Sequence, residues 1–277
     1  MVASRPSIPS RSIHRPAVTQ NNERNPQSSP SKPAAARTTG AWRARLGVVV
    51  PSVNTVVEPW FGRVCPEGVG VFASRMLLDN ALSPESIVRM DREEGMHAVK
   101  QLASCRPHAV AYCCTASSIV QGLEYDLHLQ DEVAAGSGVP ATTATQAILA
   151  ALKVLGAGRI VATSPYAKEI DDAEHAFFES AGVRVVSSGC LGIRNAFELA
   201  SPTQADIAAL VRRAWIPGAD AVLITCLNLC SHTVVDELEA ELGVPVVTST
   251  QATLWRLLRI AGIEDPLPGY GRLLAEH

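Results

Sequence analysis

The 277-residue chain has no excess of positive charge: 24 Lys and Arg face 27 Asp and Glu, a formal charge of −3. It therefore lacks the electrostatic footprint of a nucleic-acid binder. No apolar run approaches the ~20 residues of a membrane-spanning helix, so no membrane partner is expected. Aromatic residues are few, at 5%, which is low for a globular enzyme. An even cysteine framework is missing too. Seven cysteines, with Cys113 and Cys114 adjacent in a strand-like run, make a poor disulfide pattern for this length. That points to a reducing, cytoplasmic setting in which thiols are free to be core residues, ligands or reagents.

Nucleotide loops are also missing. No Walker sequence occurs, and the glycines of Leu155-Gly-Ala-Gly158 follow a helical stretch and precede a strand. A dinucleotide fingerprint has the opposite order, so these glycines are a helix C-cap and linker. Cys226-x3-Cys230-x-His232 fits no familiar zinc spacing, and no metal site is expected.

What is present divides the chain unevenly. Residues 1–42 are rich in Ser, Pro, Arg and Asn and hold almost no apolar periodicity. Such a segment buries too little surface to offset its ordering entropy and is expected to be a disordered extension. It has no apolar core of a secretory signal. Its Arg- and Ser-rich composition is compatible with an organellar transit peptide, but a plain extension or an early start codon is the preferred reading.

From Trp42 onward buried-strand signals alternate with helical stretches. Leu46-Gly-Val-Val-Val50, Val69-Gly-Val-Phe-Ala73 and Ala109-Val-Ala-Tyr-Cys113 read as strands. So do Arg159-Ile-Val-Ala-Thr163, Val183-Arg-Val-Val186, Ala221-Val-Leu-Ile-Thr225 and Val244-Pro-Val-Val-Thr248. The helices run from Pro84 to Leu102, Lys168 to Ala181 and Thr203 to Trp215. This alternation implies an α/β fold with parallel sheets covered on both faces.

An internal repeat sharpens the expectation. Gly138-Val-Pro-Ala-Thr-Thr-Ala-Thr-Gln-Ala147 recurs as Gly243-Val-Pro-Val-Val-Thr-Ser-Thr-Gln-Ala252. Ser52 and Ser164, Asn54 and Tyr166, and Cys114 and Cys226 all stand 112 positions apart. Two similar subdomains follow, residues 43–157 and 158–277, each with a parallel four-stranded sheet and related by a pseudo-twofold axis. The C-terminal segment is free to pack back on the first. Ligands of open α/β sheets bind beyond the carboxyl ends of the strands. Asn54, Cys114, Tyr166 and Cys226 all fall there, so the two halves would aim them at one cleft.

A cysteine ending a buried strand is ordinarily a small core hydrophobe. The repeat argues otherwise for Cys114 and Cys226, whereas Cys113 points to the opposite face and belongs to the core. Cys114-Thr-Ala-Ser-Ser118 and Cys226-Leu-Asn-Leu229 read as strand-to-helix turns, whose free amides favour a thiolate and can hold a carboxylate. Thr115, Leu227 and Asn228 are accordingly candidate substrate-binding residues. Two thiols flanking one carbon can act as base and acid, or as nucleophile and proton donor. Thr55-x-x-Glu58 reads as a capping box, leaving the Asn54 amide for a ligand. Tyr166 is either a wall residue or a donor to a substrate oxygen. Basic residues are scarce in these turns, so amides and hydroxyls must hold any carboxylate.

From about Leu46 to Pro268-Gly-Tyr-Gly-Arg-Leu-Leu274 the chain resembles the aspartate/glutamate racemase superfamily. Within it the chain is most similar to the branch of maleate cis-trans isomerases and arylmalonate decarboxylases. The resemblance implies two α/β subdomains, no metal or pyridoxal cofactor, and thiol catalysis between the halves. The isomerase pattern is matched by Asn54 in Pro51-Ser-Val-Asn-Thr55, Cys114, Tyr166 in Ser164-Pro-Tyr166, Asn195 and Cys226. Decarboxylases of the branch have glycine where Cys114 stands. The run Thr115-Ala-Ser-Ser118 departs from the isomerases, whose corresponding residues are apolar. The implied function is maleate-to-fumarate isomerisation through a covalent cysteine adduct on a small dicarboxylate. Amino-acid or hydantoin racemisation, malonate decarboxylation and non-catalytic carboxylate binding stand as alternatives. The resemblance also implies a homodimer or larger homo-oligomer.

Overall fold

The fold is that of a computed structural model, in which residues 40–277 are described. The expected disorder of residues 1–42 falls, apart from its last three positions, outside them. The first half runs β1 (Ala44–Pro51), α1 (Val57–Val64), β2 (Val69–Met76), α2 (Pro84–Met90), α3 (Met96–Ala103), β3 (Ala109–Tyr112), α4 (Thr115–Gln121), α5 (Leu123–Ser137), β4 (Ala141–Thr143) and α6 (Ala144–Val154). The second runs β5 (Arg159–Tyr166), α7 (Lys168–Ser180), β6 (Arg184–Ile193), α8 (Gln204–Ala214), β7 (Ala221–Ile224), α9 (Val235–Leu242), β8 (Val246–Thr248) and α10 (Ser249–Ile260). A short α11 (Arg272–Glu276) closes the chain. No helix among the described residues is long and apolar enough to cross a membrane.

The strands form two four-stranded parallel sheets with orders β2-β1-β3-β4 and β6-β5-β7-β8. The two orders match strand for strand, as the repeat requires. In each, the order reverses between the two central strands. That crevice, past the ends of β1 and β3 or of β5 and β7, is where such sheets bind ligands. The central strands β1, β3, β5 and β7 are almost wholly buried, which is why their sequences are continuous Val/Ile/Leu/Ala runs without alternation.

The repeated decapeptide has a local physical reason. Gly138 and Gly243 end α5 and α9 in the left-handed conformation, at φ +72° and +73°. Glycine reaches that region without the steric cost of a Cβ. A three-residue strand follows. Thr143 and Thr248 then cap α6 and α10, their hydroxyls accepting from the Gln146 and Gln251 amides at 3.0 Å in both halves. The Gln251 side chain also accepts from the Thr248 amide, completing a capping box. Helices α6 and α10 pack against each other across the two halves.

Three departures from the sequence expectations are local. The stretch from Pro84 to Leu102 is not one regular helix, because a π-helical turn, Asp91–Gly95, separates α2 from α3. The Thr55–Glu58 capping box does not form. Instead the Asn54 carboxamide oxygen accepts from the Val56 and Val57 amides, both at 3.0 Å, and Glu58 pairs with Arg75. Asparagine's shorter side chain reaches the helix start directly, while the arginine draws the glutamate outward. β4 supplies the eighth strand that two four-stranded sheets need, and the seven strand signals omit it because its Ala-Thr-Thr lacks the paired valines of its repeat partner β8.

Further contacts tie the halves together. Asn228, after β7, accepts from the Thr55 amide at 2.9 Å and donates to the Val53 carbonyl at 3.3 Å. The loop after β2 pairs with the loop after β6 through an isolated antiparallel bridge, Ala81 to Asn195. Near the C-terminus, Asp265 accepts both Arg43 guanidinium nitrogens, at 2.8 and 2.5 Å, and Tyr270 packs edge-on to Trp60 at 5.6 Å.

Candidate active site

Both cysteines singled out by the repeat line one cavity between the halves. Asn54 and Cys114 reach it from the ends of β1 and β3, and Tyr166 and Cys226 from the ends of β5 and β7. Thr115, Leu227 and Asn228 also line it. Both thiols are free and nearly sealed, at 8% exposure for Cys114 and 3% for Cys226. The enclosed space is only about 30 Å³, room for roughly two water molecules.

The two sulfurs sit in different settings. Cys114 is extended, at φ −135°, and directly precedes α4. Burial pushes its thiol up to about 12, and the nearby Asp91 charge adds to the rise. The Ser117 hydroxyl and amide oppose it. Cys226 has φ +82°, and the only other described non-glycine residue with a positive value is Arg106. A side chain held there costs of order 1–3 kcal/mol, and such strain gathers at functional sites. The Tyr166 hydroxyl and the amides of Asn228 and Leu229 hold the pKa of the Cys226 thiol down. Burial still dominates and raises it to about 11. Tyr166 itself is pushed well above its ordinary value, first by burial and then by the two cysteines, so it is a hydrogen-bond donor. At neutral pH the resting site holds two thiols and a phenol.

Among the described residues, no lysine or arginine lines the cavity. Lys168 pairs with Asp172, and Arg194 with Glu169 at 2.9 Å. Anion binding therefore falls to neutral donors. The Asn54 oxygen is taken by the start of α1, and its amide nitrogen has no partner among the described residues, which leaves it for a ligand.

Other expected residues play altered parts. The Asn228 carboxamide is committed at both ends to backbone, which leaves no side-chain group for a ligand. The Thr115 hydroxyl donates to Ser249, at the start of α10, at 3.1 Å. Asn195 does not line the cavity. Its backbone forms the bridge to Ala81 and its side-chain oxygen accepts from the Phe197 amide at 3.0 Å. Cys113 is buried as expected, with its thiol turned to the Ala111 carbonyl at 3.6 Å, yet it also touches the cavity wall. The Cys226–Cys230–His232 run does not converge, and His232 instead lies over Trp60 at 4.7 Å.

The sequence reading missed the apolar roof: Leu78 and Leu82 from the loop after β2, Ile87 from α2, and Leu199 from the loop after β6. These leucines lie in loops without periodicity, so nothing in their spacing marks them. A second omission is Glu174 on α7. It is fully buried, takes a 2.7 Å hydrogen bond from Thr225, and leaves its other oxygen without a partner. Burial raises its pKa to about 8.

Two duplicated α/β halves that close on a pair of unpaired thiols, with no cation in the cavity wall, define a class of pseudo-symmetric thiol enzyme. Comparison with known proteins agrees. The sequence profile of arylmalonate decarboxylase matches residues 46–274, and the chain belongs to that family. It is 28% identical over 235 residues to the arylmalonate decarboxylase of Bordetella bronchiseptica, covering 82% of this chain and 97% of that one. It is also 28% identical over 244 residues to a maleate isomerase of Pseudomonas putida, covering 83% and 97%. Among solved structures, a maleate cis-trans isomerase variant from Nocardia farcinica with a covalently bound succinylcysteine intermediate superposes with a TM-score of 0.80. The two are 24% identical, over 84% of this chain and 99% of that one.

Proposed function

We propose that the protein is a cofactor-independent isomerase that converts a small cis-enedioate of the maleate type to its trans isomer, with Cys114 as nucleophile and Cys226 as proton donor. One observation carries the reading: two thiols from duplicated halves line the same narrow cavity. One-sided protonation needs a single thiol, whereas addition to a double bond with reversible proton delivery needs a pair.

In this reaction the Cys114 thiolate adds to one alkene carbon, and the π electrons move to the other, spreading into its carboxylate. Cys226 transfers its S–H proton to that carbon and becomes a thiolate. The succinyl thioether rotates about the new single bond. Cys226 then reclaims the proton as the S–C bond breaks, which releases the trans product and restores the Cys114 thiolate. The amides following each cysteine, the Asn54 amide nitrogen and the Tyr166 hydroxyl hold the carboxylates and the charge that develops on them. The presence of four maleate isomerases and a succinylcysteine-bearing structure among the similar proteins supports the choice of substrate class.

The test is maleate turnover followed by ultraviolet absorbance for wild type, Cys114→Ser and Cys226→Ser. Each variant should fall by roughly a hundredfold or more. Near wild-type turnover by Cys114→Ser removes the covalent mechanism. The apolar roof of Leu78, Leu82 and Leu199 favours one second reading, decarboxylation or racemisation of an acid with an apolar substituent. Carbon dioxide release from phenylmalonate, or solvent deuterium at the α-carbon of a recovered amino acid, would establish it.

A further inference from the structure

A buried polar cluster lies behind Cys114, and the reaction as written does not use it. Asp91 is its centre. It opens the π-turn between α2 and α3, a feature frequent at functional sites. Its carboxylate accepts four hydrogen bonds. Tyr112 and Ser117 donate to one oxygen at 2.6 and 2.7 Å, and Gln121 and Tyr125 to the other at 2.8 and 3.2 Å. Gly95, in the same π-turn, is fitted to this cluster: a Cβ there would stand 2.8 Å from the Tyr112 hydroxyl oxygen. Ser117 stands one turn along α4 from Cys114 and donates to Asp91, and its hydroxyl and amide hold the Cys114 pKa down. On its far side Asp91 lines a second, outer cleft with Gln121, Tyr125, Arg92 and Glu132. The aspartate therefore stands between Cys114 and an outer cleft.

We propose that Asp91, acting through the Ser117 hydroxyl, receives the Cys114 proton when that thiol becomes a nucleophile, and exchanges it with solvent at the outer cleft. The inference rests on Cys114 being the nucleophile. The proton count closes: the Cys114 S–H bond breaks as a proton passes to the Ser117 oxygen, and Ser117 gives its own proton to Asp91. A neutral thiol and a carboxylate become a thiolate and a carboxylic acid, with the charge of the trio unchanged. Neither Asp91 nor Ser117 touches the substrate, so both are positioning residues.

The need for such a path follows from the cavity. It holds space for roughly two waters, and the other titratable groups around Cys114 are acids in their protonated forms. Cys226 and Tyr166 face it from the second half, Cys113 and Tyr112 from β3, and Tyr125 from α5. Arg92 and Glu132 lie at the outer cleft. A bystander carboxylate would have the opposite effect, since a fixed negative charge at Asp91 raises the Cys114 pKa.

The experiment is the rate of Cys114 alkylation by iodoacetamide, resolved by peptide mass spectrometry from about pH 5 to about pH 10. Folded wild type, Ser117→Ala and Asp91→Asn are compared, with maleate turnover measured in parallel. Ser117→Ala leaves Asp91 its other three donors, which keeps the test valid should Asp91→Asn fail to fold. Wild type should show a plateau of reactivity between the ionisation of Asp91 and that of the thiol. Both variants should lose that plateau, falling roughly tenfold or more near pH 7. Unchanged profiles, or a faster Asp91→Asn as simple charge removal would give, overturn the relay alone. Near wild-type maleate turnover by Cys114→Ser overturns the nucleophile assignment together with the relay.

Discussion

At the scale of single residues the two cysteines are equivalent in sequence position and unlike in backbone. Cys114 ends a strand in ordinary extended geometry, while Cys226 is forced to φ +82°. Removing sulfur from Cys226 therefore has an unusual stability order. Alanine ordinarily outranks glycine, because glycine gives the unfolded chain more freedom. At a positive φ the Cβ itself is the burden. Cys226→Gly is expected to be more stable than Cys226→Ala by about 1 kcal/mol, with both inactive. Urea denaturation of the pair checks this, and a more stable alanine variant would show that the backbone there is not strained. Asn54 and Asn228 teach a related lesson. A single asparagine can brace the fold with one end and keep the other unengaged, as Asn54 does, or be spent wholly on structure, as Asn228 is.

At the scale of elements, the roof over the cavity decides access. A diacid occupies several times the volume of the roughly two waters that the cavity accommodates. The loops bearing Leu78, Leu82 and Leu199 border the cavity, so their parting would widen it, and the Ala81–Asn195 bridge joins those loops. Its flanking bonds, Leu82 amide to Arg194 carbonyl at 2.9 Å and Ala196 amide to Asn80 carbonyl at 2.8 Å, mark a non-hydrogen-bonded antiparallel pair. The short Cα separation of such pairs suits a disulfide. An Ala81→Cys, Asn195→Cys double variant should lose turnover on oxidation and recover it on reduction. Equal activity in both redox states would mean that substrate enters by another route.

Much of this scale was legible in the sequence. The central strands lie buried on both faces and so must be continuous aliphatic runs, and the glycine and threonine of the repeated decapeptide are demanded by a left-handed cap and a helix start. The roof leucines were not legible, because loop residues obey no period. Nor was the π-turn at Asp91–Gly95, whose neighbours on either side read as one amphipathic helix. The Asn195 carboxamide lies off the cavity lining for a different reason: its oxygen is held by the Phe197 amide and its backbone by the bridge to Ala81. Cys114 and Cys226 were found because duplication itself singles them out from five other cysteines.

For the whole molecule, the buried Glu174 links stability to pH. An ordinary glutamate titrates near 4.5, whereas burial raises this one to about 8. Between those values the unfolded chain gives up the proton and the native state keeps it. Its contribution is therefore complete below about pH 4.5 and is lost as pH rises through about 8. Glu174→Gln should remove that slope, so that wild type loses on the order of a few kcal/mol more than the variant between acid and mildly alkaline pH. Chemical denaturation at several pH values measures it, and parallel curves for the two proteins would rule the carboxyl out as the cause.

The near-twofold arrangement has a particular meaning for a molecule such as maleate, whose two ends are interchangeable. Turned end for end on the axis it meets a matching sulfur, so the ligand contributes nothing to deciding which one attacks. That decision falls to whatever breaks the symmetry. A carboxyl bears on each sulfur, Asp91 on Cys114 and Glu174 on Cys226, but Asp91 is held by four donors where Glu174 has one, and a bent backbone lies beneath Cys226 alone. A substrate without a head or a tail acquires both from an imperfect duplication.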